Sequence, residues 1–586
     1  MHRMLLQFSR LLANQPISTV IRAEIEQRLL QAVTQHLPSA VNEPITVRPC
    51  ADAKHGHYQS NSLMALAKKH QMNPRQLSEQ VVEILDLSEL CASVEIAGPG
   101  FLNFKLRAEV VERALASALR QDHPFVNRSK EPSMVVIDFS SPNVAKPMHV
   151  GHIRSTILGD SLARVMRLVG HKVVTDNHIG DWGTQFGMLL LGWKTILDEG
   201  SLDKDPIAEL ERLYKQINEN ESLRDEARAE LVKLQQGDKE NKTIWHRMIA
   251  LSQEQFDLMY GRLGVQFDET LGESFYNPFL SETVNQLQER RITEESQGAM
   301  VVRFPGDKQL EDKPAIVQKS DGAANYTTTD LATLDYRLKE WSPNEILYVT
   351  DGRQQLHFQQ LFKIFRRWRP GSKVDLKHVW FGSILSSDGK PFKTRSGQTV
   401  RLSDLLNEAE ERGLAAVTEK NPGLSNAERL EIGRVVGLGA LKYADLSNNR
   451  QSDYVFDWDK MLALQGNTAP YLQYAYTRVR SIFRKAEAPD WKKAAIHLEN
   501  KEEFSLALHL INFGHTLEMV VEDHRPNFLC NYLFELAGQF GRFYEACPVL
   551  KAEEGQRESR LVLCELTARV LREGLDALGI EVTEVM

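Results

Sequence analysis

The chain has 586 residues, with 71 Lys and Arg against 79 Asp and Glu for a net charge of −8, and is 42% hydrophobic, 26% charged and 8% aromatic. This length calls for several domains, and the composition excludes collagen-like, low-complexity and long disordered chains. The acidic balance means that any nucleic-acid contact uses local basic patches.

Ile17 to Val33 places Val20, Ile21, Ile25, Leu29, Leu30 and Val33 at helical spacing, and a second helix is expected from Pro74 to Leu85. VEIAGPGFLNFKL (94–106) alternates around a Gly-Pro-Gly turn and reads as a hairpin. The small α+β unit, 1–120, ends at the polar linker Gln121 to Pro132. A second unit, 121–402, opens with the strand MVVIDFS, the turn SPNVAKP, a helix from about His149 to Leu168 closed by Gly170, and the strand HKVVTDN. Strand, helix, strand at this spacing is a right-handed crossover in a parallel sheet. IVQKSDG, the helix ANYTTTDLATLDYRLKE, the strand EILYVTDG, the helix LHFQQLFKIFRRW and the strand HVWFGSIL supply the other half of a doubly wound sheet. Between the halves, 193–297 is rich in Glu, Lys, Gln and Asp and reads as a solvated helical spacer. The rest is expected to be helical, as a segment 403–455 and a domain 456–586 containing APYLQYAYTRVRSIFRK (469–485). Cys50, Cys91, Cys530, Cys547 and Cys564 form no CxxC pair, which suits a reducing cytoplasm. No export signal or membrane span is read.

AKPMHVGHIRST puts His149 and His152 at a helix start behind a buried strand, where free N–H groups favour an anion, and Gly151 lets a nucleotide approach the backbone. Neither GxGxxG nor GxxxxGK[ST] occurs. A metal site at the histidines lacks acidic or thiol ligands at a suitable local offset.

HxGH at the first strand-to-helix turn resembles the class I aminoacyl-tRNA synthetases. DFSSPNVAKPMHVGHIRSTILGD, NHIGDWGTQFG, NYTTTDLAT, DGRQQLH, PFKTRSGQTVRL, KYADLS and NTAPYLQYAYTRVRSI, in this order, resemble the arginyl-tRNA synthetases of the bacterial type over essentially the whole chain. The resemblance implies a Rossmann-like class I catalytic domain, an additional N-terminal domain reaching the tRNA elbow, a stem-contact segment and an all-α anticodon-binding domain. It implies ATP with Mg2+, L-arginine and arginine tRNA as substrates, arginyl-adenylate as intermediate, tRNA-dependent activation, and a cytoplasmic monomer without membrane contact. A synthetase for another amino acid and a catalytically silent tRNA-binding paralogue are the alternatives.

The resemblance also implies residues. His149, Gly151, His152 and Lys146 lie on the ATP side, and FKTR (392–395) stands where class I enzymes carry a KMSK loop, with Lys393 and Arg395 as its cations. That loop is degenerate, and Lys146 matches a lysine that compensates in such enzymes; its bland reading is an ordinary surface lysine. A guanidinium substrate requires carboxylate acceptors, and Asp138, Asn143, Tyr326, Asp330 and Gln354 are the expected arginine contacts. Asp330 follows Tyr326 by one helical turn, although pairing with Arg337 would make it a plain surface acid. Tyr58, Gln59, Asn61, Arg478 and Arg480 are the expected tRNA contacts, whereas Arg366, Arg367 and Arg369 are better read as structural.

Overall fold

Ile21, Ile25, Leu29 and Val33 recur every four residues, and all four are buried along one stripe of helix α1 (Ile17–His36). The structure is a computed structural model that describes residues 17–50, 52–390, 392, 400–486 and 491–586. The helix packs with an antiparallel sheet of β1 (Arg48–Pro49), β2 (Tyr58–Ser60), β3 (Cys91–Ala97) and β4 (Phe101–Leu106), in the order β1-β2-β4-β3. Gly100 in the hairpin turn has φ +134°, and a Cβ there would lie 2.9 Å from the Pro74 carbonyl oxygen at the start of α2 (Pro74–Ile84). Only glycine fits that turn.

The parallel sheet contains β5 (Met134–Phe139), β6 (Lys172–Asp176), β10 (Glu345–Val349) and β11 (Asp375–His378), in the order β11-β10-β5-β6. Helix α3 (Val150–Leu168) is the crossover from β5 to β6. Val135, Ile137 and Phe139 face one core and Val136 the other, so both faces are covered, as a parallel sheet requires. A Cβ on Gly159 would lie 2.1 Å from Phe139, so glycine lets α3 settle onto β5. From β5 and β10 the chain winds outward in opposite directions, and the strand order reverses between them at the C-terminal edge.

Three expectations are corrected. IVQKSDG does form a strand, β9 (Ala315–Gln318), but it joins β8 (Ala299–Val302) and β7 (Glu294–Ser296) in a separate antiparallel sheet. A β7-β8 hairpin lies directly upstream, so β9 completes a meander. In HVWFGSIL the parallel strand ends at His378, and Ile384–Leu385 instead pairs with Tyr454–Val455. The segment 193–297 is helical but is no mere spacer. It contributes α4 (Pro206–Glu219) and α5 (Lys239–Leu263), and Ser252, Phe256 and Tyr260 of α5 are buried against the turn between β5 and α3.

Helices α6 (Tyr326–Trp341) and α7 (Gln355–Trp368) flank β10. The rest of the chain is mainly helical, including α8 (Asn426–Leu446), α9 (Ala469–Lys485), Asn527–Ala546 and Gln556–Ala577. Lys501–Asp523 is apolar enough by length and composition to cross a membrane, which the sequence reading did not register. It contains two helices meeting at Asn512, and Leu506, Leu510, Phe513, Leu517 and Val520 are buried in the helical core.

A buried ion pair joins the two halves of the molecule. Arg154, two residues after His152, meets Asp445 of α8 at 3.1 Å with both side chains 1% exposed, and its guanidinium also donates to the carbonyls of Arg450 and Ser452. Replacing Asp445 with Ala leaves a buried, unpaired cation, so Asp445→Ala is expected to cost about 3–5 kcal/mol, read as a lower urea midpoint. A midpoint equal to that of the parent would show that Arg154 is satisfied by the carbonyls alone.

Candidate functional site

The turn between β5 and α3 holds three non-glycine residues in the left-handed region, Ser140 (φ 71°), Ser141 (φ 47°) and Ala145 (φ 62°). Such conformations persist only where surroundings enforce them. The Ser140 hydroxyl lies 2.8 Å from the Tyr260 hydroxyl and accepts from Thr156, and its N–H donates to Ser155 Oγ at 2.8 Å. Ser141 N–H donates to Asn177 Oδ1, and Ala145 N–H to Ser252 Oγ at 3.0 Å. Helix α5 therefore clamps the turn.

His149 caps α3. Its Nδ1 accepts from Gly151 N–H at 3.0 Å, and its own N–H donates to His152 Nδ1 at 3.0 Å. The rings are 3.9 Å apart. Because both Nδ1 atoms accept, the neutral rings carry their protons on Nε2. Burial, with His149 alongside, pushes His152 down to about 3, and burial followed by the charge of Arg353 lowers His149. The pair is therefore two uncharged N–H donors at a helix N-terminus, a device for phosphate oxygens.

The Lys146 ammonium sits over the Tyr214 ring of α4, 5.6 Å from its centroid, in a cleft of about 260 Å³ lined also by Met148, Lys204, Arg401 and Ser403. Lys393 and Arg395 lie outside the described residues. Of the described residues on either side of them, Phe392 stacks on Phe456 at 4.5 Å, and the Val400 carbonyl accepts from Val150 N–H at 3.0 Å, beside His149. Arg353, in the short 3-10 turn Gly352–Gln354 that follows β10, is braced by Asp351 at 2.8 and 3.0 Å.

A group of carboxylates gathers around the C-terminal ends of β5, β6 and β10. Asp330 on α6 is half-buried and meets His357 Nε2 of α7 at 2.6 Å; burial opposes the charge on His357, but Asp330 raises its pKa overall. Pairing of Asp330 with Arg337 does not occur. Arg337 instead pairs with Asp138 at 2.6 Å and Asp176 at 2.7 Å, so one oxygen of Asp138 is already engaged while the other accepts from Ser141. Tyr326 is 71% exposed at the start of α6, Gln354 is exposed, and Asn143 is exposed in the turn that pairs with Gly180. Glu273 is drawn in by its own N–H bond to the Ile179 carbonyl at 3.0 Å. Burial, followed by the charges of Asp330 and Asp181 against that of His178, pushes Glu273 up to about 7. Among the described residues no cation pairs with it.

Comparison with known proteins matches three family models: the N-terminal domain of arginyl tRNA synthetase over residues 19–106, the catalytic domain of class I (R) tRNA synthetases over 114–458, and the DALR anticodon-binding domain over 472–586. The arginine–tRNA ligase of Chromobacterium violaceum is 48% identical over 93% of this chain and 97% of its own length. That of Proteus mirabilis is 45% identical over 97% of this chain and 100% of its own. The chain belongs to the arginyl-tRNA synthetase family. Solved arginyl-tRNA synthetases share the fold, that of Plasmodium falciparum with TM-score 0.84 at 29% identity, covering 97% of this chain and 99% of the other, and that of Thermus thermophilus with TM-score 0.82 at 27%, covering 96% and 100%.

Within this synthetase the expected tRNA contacts fare unevenly. Tyr58 is 1% exposed and donates to Asn512 Oδ1 at 3.0 Å, so it joins the N-terminal and helical domains and is closed to RNA. Gln59 is half-buried within the sheet, while Asn61 is exposed. Arg480 is held at 3.2 Å by Glu565 and by Glu584, and Arg478 lies over Tyr544 at 4.7 Å. Arg366 and Arg367 donate to backbone carbonyls and Arg369 pairs with Asp335. Sequence reasoning missed Glu273, Arg353 and the Arg337 ion pairs. Glu273 stands in GESFY after an acidic helical run that gives no local signal.

An ionised Glu273 offers a cation a charged acceptor, whereas a protonated one keeps only a neutral carbonyl acceptor. Affinity for a cationic substrate is therefore expected to rise with pH through about 7, with KM for arginine falling by up to about tenfold per unit on the acid side. Glu273→Gln should flatten that profile in pyrophosphate exchange between pH 6 and 8. An unchanged profile would place Glu273 outside the substrate pocket.

Proposed function

We propose that this chain joins L-arginine to the 3′ end of arginine tRNA, using ATP to form arginyl-adenylate first. The supporting observation is the conjunction at the sheet's reversal point of a neutral histidine pair suited to phosphate with carboxylates suited to a guanidinium. The reaction is attack of the arginine carboxylate on the α-phosphate and needs no protein nucleophile. His149 and His152 donate from Nε2 to oxygens of the α-phosphate as charge builds there, and the open N-terminus of α3 adds its dipole. Asp330 and Glu273 hold the guanidinium, with Tyr326 and Gln354 at the rim and Asn143 on the turn between them and the nucleotide. Asp138 contributes through Arg337 and Ser141.

Lys146 flanks the histidine end of the site, and it is assigned to the departing pyrophosphate together with Lys393 and Arg395, as the resemblance to the KMSK loop implies. For this Lys146 leaves the Tyr214 ring. Magnesium enters on the phosphates of ATP as part of the substrate. The terminal ribose of the tRNA then takes the arginyl group through its 2′-hydroxyl. Asn61 and Arg478 are the sequence-expected contacts best left open to tRNA. We further propose a cytoplasmic monomer that activates arginine only with its tRNA bound.

The test is ATP–pyrophosphate exchange with each of the twenty amino acids, with and without arginine tRNA. Exchange is expected for arginine alone and only with the tRNA. Exchange with another amino acid, or none with arginine and tRNA together, overturns the assignment; full-rate exchange without tRNA overturns the tRNA dependence.

A further inference from the structure

Arg337 is fully buried on α6, two helical turns after Asp330, so both side chains leave the same face of that helix. Beneath it Tyr348, Asp138 and Asp176 are register partners across β10, β5 and β6. All three turn toward Arg337. Its Nη2 donates to Asp138 Oδ2 at 2.6 Å and to Asp176 Oδ2 at 2.7 Å, its Nε donates to Asp176 Oδ2 at 3.1 Å, and its guanidinium lies 5.4 Å from the Tyr348 ring centroid.

The carboxylates form two tiers. The side chains of Asp138 and Asp176 are 7% and 0% exposed, whereas that of Asp330 is 26% exposed and Glu273 is only half-buried. Two adjacent carboxylates on one strand row repel each other and attract any cation of the right shape. Arg337 satisfies them with the same planar fork that an arginine substrate carries. The deep tier is thus a guanidinium seat already taken by the protein's own guanidinium, and the shallow tier is left for another.

We propose that Arg337 is a specificity-determining positioning residue, a built-in guanidinium that plugs the deeper carboxylates so that the substrate guanidinium stops at Asp330 and Glu273. The inference rests on the arginine-binding reading above and adds what fixes the pocket's length. With the plug in place, a side chain one methylene longer pushes its cation toward another cation. With the plug gone, Asp138 becomes an acceptor for the longer chain.

The probe is homoarginine, compared with arginine in tRNA-supported pyrophosphate exchange. Arg337→Met combined with Asp176→Asn removes the plug without leaving two facing carboxylates uncompensated. This variant is expected to raise the ratio of kcat/KM for homoarginine over arginine at least tenfold and to keep KM for ATP within twofold. Arg337→Lys, which retains the charge, is expected to hold the ratio within threefold of the parent. A folded double variant with an unchanged ratio overturns the proposal, as does a parallel rise of KM for arginine and ATP in both variants. Failure of both variants to fold also overturns it, by reducing Arg337 to a structural brace. A parent protein that does not activate arginine fails the underlying reading instead, which separates the two.

Discussion

The ion pairs that Arg337 makes with Asp138 and Asp176 tie one helix to the ends of two central strands, and the functional geometry depends on them. Charges leave water only where opposite charges and hydrogen bonds receive them, and a buried cation missing one partner costs several kcal/mol. Here the partners come from separate strands, so the cation sits where α6 meets the sheet, at the floor of the carboxylate group. Asp330 and Tyr326 ride on that helix. The same electrostatic demand governs the ligand, because a guanidinium entering the pocket requires acceptors of its own.

The histidine side is built on the opposite principle. The histidines are kept uncharged by burial and by backbone N–H groups that claim their Nδ1 atoms, so only N–H donors face outward. Neutral donors at a helix N-terminus give directional contacts that strengthen as negative charge grows in the transition state. The strained turn beneath them is held by Tyr260 and Ser252 of an inserted helix, and Arg154 secures the other side of α3 to the helical half.

Local features were legible in the sequence. The strand, turn and helix around His149 and His152 follow from an apolar run, a Pro- and Asn-containing turn and amphipathic spacing, and Tyr326 and Asp330 share a face because four residues make a helical turn. What escaped depends on distant partners. Arg337 finds Asp138 and Asp176, 199 and 161 residues away, and no spacing rule encodes that meeting. Tyr58 reads as a tRNA contact until its partner Asn512, 454 residues on, accepts its hydroxyl. The acidic insertion reads as solvated because charged residues dominate its composition, yet a few residues of α5 on one face carry its structural role.

The most direct measurement of the account is arginine activation by Asp330→Asn. Asparagine keeps the shape and the hydrogen bond to His357 but removes the charged acceptor. The account predicts a loss of about 2–4 kcal/mol in kcat/KM for arginine, with KM for ATP within about twofold of the parent. Unchanged arginine kinetics, or an equal loss for arginine and ATP, would contradict it.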